Sequence, residues 1–586
     1  MNARQRYTGL ALRMMAAVVL GAGGVRAAGP VPAIIPQPVD VKVGEGVFTI
    51  TPRTAVIARG QAAPEAQQLI EALAPPMGFR LALVASDRPD DAISLSLDEA
   101  LKGKLGDEGY TLEVTARAID LRAGGPAGLF YGIQTLRQLL PPDVYRDAPA
   151  RGVAWTVPCG RITDYPRFGW RGLLIDPARH FIPVGDVRKY IDAMALHKFN
   201  RLQMHLTDDQ GWRIEIRKYP RLTDIGSKRD HSGGPGGFYT QEDIRQLVRY
   251  AQQRHITIVP EIEMPGHTGA ARDSYPEVLA LSPQNRGHVL MPRPQAVAFM
   301  QDVLAEVLEL FPSQFIHIGG DEASTGQWTT SDEMKAQMQS LNLKDVHELH
   351  SWFIRQMDAY LTKHGRRLVG WDEILQGGLA QGATVMSWRG VKGGIAAAQA
   401  GHDVVMAPTS HTYFDFRQAR QEKGFGGSVL PLEEAYRFEP VPEELNAEQA
   451  HRILGGQGQL WGELIKDQQR REYMTYPRAC ALIETLWSPK QPRDFRQFHQ
   501  RLTHHLRRLD AAGINYRKLD PLVRTEPSVR GLTGERLVSA GVLCDAPMPD
   551  SGAKASIVAA KRYRHVRPAS TLTESVSTSV VRSASE

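Results

Sequence analysis

The chain has 586 residues, 42% hydrophobic and 23% charged, the balance of a folded protein with a sizeable core rather than of a disordered scaffold. Lys plus Arg total 70 against 64 Asp plus Glu, a net charge of +6; spread over this length without a long basic run, it argues against a dedicated nucleic-acid binder. The three cysteines, Cys159, Cys480 and Cys544, are odd in number and far apart, which excludes a disulfide framework and shows no zinc-type spacing.

Arg4 and Arg6 precede the apolar stretch Met14–Ala22, and small residues follow to Val25-Arg26-Ala27-Ala28. This is the layout of a secretory leader over residues 1–28, although Arg13 interrupts its apolar run. The chain is therefore expected in a periplasm or outside the cell. No later stretch reaches the ~18 unbroken apolar residues of a spanning helix, and no cysteine near the cleavage site suggests a lipid anchor.

Residues 30–160 read as a small α+β unit. Tyr110, Leu112 and Val114 alternate with polar residues, and Ile119 and Leu121 repeat the pattern after a short turn, which predicts a hairpin with one buried face. Leu129, Ile133, Leu136 and Leu140 follow at helical spacing, and Pro141-Pro142 stops that helix.

From 165 to 500 short apolar runs alternate with amphipathic helices. Eight strands are predicted: Gly172–Asp176, Arg201–Leu206, Ile256–Ile262, Phe315–Gly319, Leu368–Trp371, Thr384–Trp388, Asp403–Ala407 and Gln457–Trp461. Val187, Tyr190, Ile191 and Met194 share one helix face, as do Val297, Met300, Val303, Leu304 and Val307. Thr240 with Asp243 has capping-box spacing before Ile244, Leu247, Val248 and Ala251. The pattern predicts a closed (β/α)8 barrel, an α/β TIM barrel behind a small α+β domain. An open doubly wound sheet would want a Gly-rich phosphate loop after an early strand. The run Gly233-Gly234-Pro235-Gly236-Gly237 follows no strand and reads as a flexible loop. Residues 525–586, Ser/Thr-rich at the end, read as a disordered tail.

In such a barrel the carboxyl ends of the strands gather the chemistry. Read in order, they carry Arg179-His180, Asp208-Asp209, Glu263 with His267, Asp321-Glu322, Trp371-Asp372-Glu373, Trp388-Arg389, Tyr413 with Asp415, and Trp461 with Glu463. Indole faces stack on the apolar faces of a pyranose while charged groups take its hydroxyls, so a sugar site is expected. Asp321 and Glu322 are adjacent on extended backbone and so point apart; they cannot flank one glycosidic bond symmetrically. The histidines sit on different strands without thiol partners, so neither metal nor cofactor is expected.

The segments Arg171-Gly172 through Asp176 to Arg179-His180, His205 to Arg213, Glu261 to His267, and His317 with Gly319-Gly320-Asp321-Glu322 resemble glycoside hydrolase family 20, the β-N-acetylhexosaminidases. Gly370 to Glu373, Ser387-Trp388-Arg389, Tyr413-Phe414-Asp415 and Gln459 to Glu463 continue the resemblance, which runs in order from about 30 to 490. Gln203 departs from a histidine found in some members and is expected to matter little. The resemblance implies an exo-acting retaining enzyme whose substrate's own 2-acetamido oxygen is the nucleophile. Glu322 would be the general acid–base, with a pKa raised by burial and carboxylate neighbours. Asp321 and Tyr413 would hold the acetamido group, and Trp371, Trp388 and Trp461 would wall its pocket. Arg179 would grip the 3- and 4-hydroxyls, its fork shared with Glu463, and Asp415 would take outer hydroxyls. Asp208 and His267 would back Glu322 as a supporting pair. Asp209, Glu263, Asp372 and Glu373 are read as structural. The expected partner is an oligosaccharide with a terminal N-acetylhexosamine. A disaccharide-releasing relative, an inactive sugar-binding barrel and a two-carboxylate glucosidase are the alternatives.

Overall fold

The structure, a computed structural model, describes residues 32–85, 90–422, 428–490 and 493–522. The expected leader over 1–28 and tail over 525–586 lie outside the described residues. Among those described, no helix is long and apolar enough to cross a membrane.

The amino-terminal part forms a seven-stranded sheet from β1 (Asp40–Thr49), β2 (Ala55–Ala58), β3 (Ala82–Val84), β4 (Ala92–Leu97), β5 (Tyr110–Val114), β6 (Ala118–Ala123) and β7 (Thr156–Asp164), in the order β1-β7-β5-β6-β4-β2-β3. The expected hairpin is β5 with β6, in register Leu112 to Leu121. The helix Pro126–Leu139 packs on it so closely that a Cβ on Gly132 would lie 2.3 Å from a Leu121 methyl. That helix stops before Pro141, as expected, and the chain enters a short 3-10 turn at Pro142–Tyr145. Strand β7 runs past the expected boundary at 160 because it pairs with β5 as far as Asp164.

The barrel follows as β8 (Trp170–Ile175), β9 (Arg201–His205), β10 (Thr257–Glu261), β11 (Phe315–His317), β12 (Arg367–Trp371), β13 (Thr384–Ser387), β14 (Val404–Met406) and β15 (Ile453–Gly458). All neighbours are parallel, and β15 pairs with β8 to close the ring. Side-chain alternation sorts the strands' residues between two environments. Trp170, Leu174, Val259, Val369, Trp371, Met386 and Val405 form one apolar cluster inside the ring. Leu173, Ile175, Ile258, Leu368, Val385 and Val404 join the larger core shared with the helices. The helices Val184–Leu196, Gln241–Gln252 and Pro294–Leu310 stand where their apolar faces predict, and Thr240 and Asp243 form the full capping box. A last helix, Phe495–Ala511, extends beyond the expected end at 500, burying Phe498, Leu502 and Leu509.

Two readings of the sequence change. The last strand begins four positions before Gln457, within Ile453-Leu454-Gly455-Gly456. These glycines serve close approach rather than a turn: a Cβ on Gly455 would sit 1.9 Å from the Trp170 carbonyl oxygen of β8. The run Gly233–Gly237 is exposed at Gly233 and Pro235 but packed at Gly236 and Gly237. A Cβ on Gly236 would meet the Ser227 carbonyl oxygen at 1.8 Å, and Arg213 donates to the Gly237 carbonyl at 3.2 Å.

Buried polar links join the two parts. Asp164 of β7 receives Lys198 Nζ at 2.9 Å, Tyr110 Oη at 2.7 Å and Trp487 Nε1 at 2.9 Å. Glu108 takes a two-pronged contact from Arg171, 2.9 Å on each side. A polar thread also runs through the barrel interior. Trp170 Nε1 donates to Gln457 Oε1, Gln457 Nε2 to Gln203 Oε1, and Gln203 Nε2 to Glu261 Oε2, at 3.1, 2.6 and 2.7 Å. Gln203 is thus an engaged buried link, bonded on both its amide nitrogen and its amide oxygen. Leaving such a buried group unpaired costs about 1–3 kcal/mol.

Candidate active site

Every predicted site residue stands in the loops at the carboxyl ends of the barrel strands, except Trp371, which ends β12 itself. The turn after β11 carries the two acids. Gly319 and Gly320 have φ of 68° and 92°, and a Cβ on Gly319 would overlap the Glu263 carboxyl group at 1.8 Å. Glycine is therefore required there on both conformational and steric grounds. Glu263 Oε1 in turn accepts the Gly320 N–H at 3.1 Å. Glu263, read as structural from sequence, is thus the buttress of the acidic turn.

Glu322 and His267 both have φ of 45°. A left-handed conformation costs a non-glycine residue on the order of 1–3 kcal/mol and persists only where surrounding structure imposes it. These two strained residues face each other. His267 Nε2 lies 3.4 Å from Glu322 Oε2 and 3.6 Å from Asp321 Oδ2, and its Nδ1 lies 3.5 Å from Asp208 Oδ1. Asp208, beside the ring, holds the imidazole well above its usual pKa despite burial.

The carboxyl of Glu322 is lowered, not raised as expected, because the hydrogen bond to His267 outweighs burial. Its side chain is 59% exposed. Asp321 behaves oppositely: burial pushes its pKa up, and its buried Oδ1 has no hydrogen-bond partner. The adjacent acids are therefore of different character, one open and paired with a cation, the other enclosed with an unspent acceptor.

Arg179 is almost fully buried and lies over the Trp461 ring, 5.1 Å from its centroid. Its fork is engaged by Asp176 at 2.9 Å and Asp208 at 2.7 Å, while Glu463, the expected partner, stands at 3.9 Å. Asp176 also accepts the Gly462 N–H at 2.8 Å, which stitches the loop after β15 to the loop after β8. Asp208 is more than His267's partner, since its contacts to Arg179 and to His205 Nε2 (2.9 Å) are both shorter. Its carboxylate is held well below the usual range by Arg179, against the pull of burial.

The aromatic wall is uneven. Trp388 and Trp461 stay partly open, and the Tyr413 ring stacks on Trp388 with centroids 6.2 Å apart. Trp371 is 1% exposed and belongs to the inner barrel cluster, its ring 5.7 Å from that of Trp461. It is therefore backing rather than open wall. Trp388 Nε1 donates to Glu373 Oε2 at 3.0 Å, and burial, then Asp321, pushes Glu373 up to about 8. Sequence reading missed this role, because Asp372-Glu373 looks like any solvated acidic pair. Asp372 and Asp209 do have local structural roles: Asp372 binds Arg389 at 2.6 Å, and Asp209 accepts the Gly269 N–H at 2.7 Å. Asp415 is buried beside Glu463, its Oδ1 unpartnered and its pKa raised well above the usual by burial.

Ligand-type side chains converge here although their sequence spacing does not show it. The groups His205, Glu261, Glu263 and Asp208, Asp209, His267 each have atoms within 4.8 Å of one another. His205 pairs with Glu261 at 2.6 Å and His267 with Asp208 at 3.5 Å, whereas burial, with Asp321 and Glu261 near it, pushes the Glu263 carboxyl well above its usual range.

A rim of unspent acceptors, a cationic fork and half-open indoles, on a barrel with its amino-terminal α+β sheet, defines a sugar-processing hydrolase. The description "Glycosyl hydrolase family 20, catalytic domain" matches residues 168–490, and "domain 2" of that family matches 31–165. The chain belongs to glycoside hydrolase family 20. It is 42% identical over 499 residues to a β-hexosaminidase of Porphyromonas gingivalis, a match covering 82% of this chain and 64% of that protein. A β-hexosaminidase of Akkermansia muciniphila is 36% identical, covering 68% of this chain and 83% of that one. Among solved structures, a Vibrio harveyi exo-β-N-acetylglucosaminidase with bound N-acetylglucosamine superposes with TM-score 0.76 at 35% identity, covering 83% of this chain and 78% of that one. A Streptomyces plicatus β-hexosaminidase mutant with its product GlcNAc gives 0.74 at 32% identity, covering 84% and 97%.

Proposed function

We propose that the chain is an exo-acting, retaining β-N-acetylhexosaminidase that removes terminal non-reducing N-acetylglucosamine or N-acetylgalactosamine from oligosaccharides, acting in a periplasm or outside the cell. The observation that carries this reading is the split character of Asp321 and Glu322 around His267. A two-carboxylate glycosidase needs two acids facing each other across the bond. Here one acid is open and the other enclosed with a free acceptor, as a nucleophile supplied by the substrate requires.

In this reading the His267–Glu322 pair holds one transferable proton. The 2-acetamido oxygen attacks the anomeric carbon, the glycosidic C–O bond breaks, and Glu322 delivers the proton to the leaving oxygen, giving an oxazolinium ion. Asp321 accepts the acetamido N–H and faces the developing positive charge, while the Tyr413 hydroxyl bonds the acetamido oxygen. Trp388 and Trp461, backed by Trp371, hold the acyl group in attack geometry. Glu322 then takes a proton from water, which opens the oxazolinium with overall retention. Arg179, Asp415 and Glu463 bind the ring hydroxyls, and Arg179 closes the inner end of the pocket, which makes the action exo. Asp208 supports His267. No step calls for a metal or cofactor.

Initial rates on 4-nitrophenyl β-N-acetylglucosaminide and on the matching β-glucoside test the proposal, with Glu322→Gln as control. Turnover of the acetamido sugar alone, with kcat/KM falling by about 10²–10⁴ in Glu322→Gln, is the expected result. Equal turnover of the plain glucoside would overturn it.

A further inference from the structure

Glu261, the last residue of β10, is wholly buried and lies between two parts of the site. Its Oε1 accepts the Trp371 indole N–H at 2.9 Å. Its Oε2 accepts from Gln203 Nε2 at 2.7 Å and faces His205 Nδ1 at 2.6 Å. The other ring nitrogen of His205, Nε2, faces Asp208 Oδ2 at 2.9 Å. A neutral imidazole has one donor and one acceptor nitrogen, whereas ionised carboxylates only accept. With a carboxylate at each nitrogen, His205 satisfies both contacts only as the doubly protonated cation. Burial alone would lower its pKa, but Glu261 and Asp208 lift it to about 10.

We propose that Glu261 and His205 are a buried positioning pair that ties the acyl-pocket wall to the proton relay of Glu322: Glu261 aligns Trp371, and the fixed charge of His205 sets how tightly Asp208 holds the proton of His267. The proposal rests on the reading of Glu322, Asp208 and His267 given above. Asp208 lies between two permanent cations, Arg179 at 2.7 Å and His205 at 2.9 Å. They absorb much of its field, so His267, at 3.5 Å from its other oxygen, is attracted strongly enough to be protonated yet can still release the proton through Glu322. The charged groups around His205 are Glu261 at the end of β10, Glu263 from the loop that follows it, Asp208 from the loop after β9, and Asp176 from the loop after β8. Arg179 and His267 lie one contact further away, across Asp208, and His317 of β11 faces Glu261 at 3.1 Å.

Two substitutions separate the two halves of the pair. In His205→Asn the amide nitrogen can stand near Nδ1 and keep the Glu261 contact, while the cation beside Asp208 is lost. Asp208 then holds the His267 proton more tightly. The alkaline limb of kcat/KM is expected to move up by about one pH unit, with kcat lower by about tenfold. Selectivity for N-acetyl over N-butanoyl glycosides should not change. In Glu261→Gln both contacts are disturbed, so kcat falls and the preference for the N-acetyl substrate also drops by about tenfold.

Thermal unfolding of both variants accompanies the kinetics. An unmoved pH limb in folded His205→Asn overturns the proposal, as does a fall in active enzyme that tracks only a loss of folded protein. Unchanged acyl selectivity in folded Glu261→Gln overturns the pocket half. If that variant does not fold, Trp371→Phe, which removes the indole N–H that Glu261 accepts, is read for the same loss of selectivity, and its absence there overturns that half. Wild-type enzyme inert on acetamido sugars would instead sink the functional reading itself, so the two failures are distinguishable.

Discussion

His267 Nε2 lies 3.4 Å from Glu322 Oε2 while its Nδ1 lies 3.5 Å from Asp208 Oδ1, so one imidazole is held between two carboxyl groups. This arrangement reverses the pKa logic usually applied to a glycosidase acid. Glu322 is lowered by His267, and His267 is raised by Asp208. The working proton therefore belongs to the pair, and its loss at high pH is set by the raised histidine.

Replacing His267 by Gln leaves Glu322 to hold that proton alone. Freed from the cation, the carboxyl is pushed up from its lowered value by burial, but the proton is no longer held by an imidazole that Asp208 lifts well above its usual range. The alkaline limb of kcat/KM is expected to move to lower pH by more than about one unit. A pH–rate profile of His267→Gln checks this, and its direction is opposite to that expected for His205→Asn.

Asp321 Oδ1 is buried and unpartnered, which suits an acceptor waiting for the acetamido N–H. Asp321→Asn substitutes a dipole for the charge that faces the oxazolinium. A loss of about 10²–10³ in kcat is expected, read from steady-state rates on the 4-nitrophenyl acetamido substrate.

Glu373 carries a stability prediction. Its folded pKa is about 8 against an ordinary 4.5, so between these values the folded state binds more protons than the unfolded chain. Stability from this group is then present below about pH 4.5 and lost as pH rises toward 8. Glu373→Gln removes the slope while keeping an acceptor for the Trp388 N–H. Its unfolding temperature relative to wild type should rise between pH 5 and pH 8, measured by thermal denaturation at both.

Lys198 and Asp164 are fully buried and 2.9 Å apart across the joint between the amino-terminal sheet and the barrel. Lys198→Met leaves Asp164 a buried charge without its cation, held by the neutral donors Tyr110, Trp487 and the Val39 N–H. Such a loss costs about 3–5 kcal/mol, to be read from urea unfolding. The site lies outside this joint, so the folded variant's kcat should stay within about twofold of wild type.

The sequence alone determined the barrel, the hairpin of Tyr110–Ala123 and the rim on which the acids and tryptophans stand. Hydrophobic period and strand-end position are local properties, written within a few residues of each other. Tertiary structure alone decided what those residues experience. Glu322 is lowered by a histidine 55 positions earlier in the chain, Arg179 is claimed by Asp176 and Asp208 ahead of Glu463, and Trp371 is sealed against Glu261. The last strand was misplaced because its glycines answer to Trp170, nearly 300 residues away. Charge, burial and close packing depend on distances across the ring, and those distances exist only once the eight strands have closed.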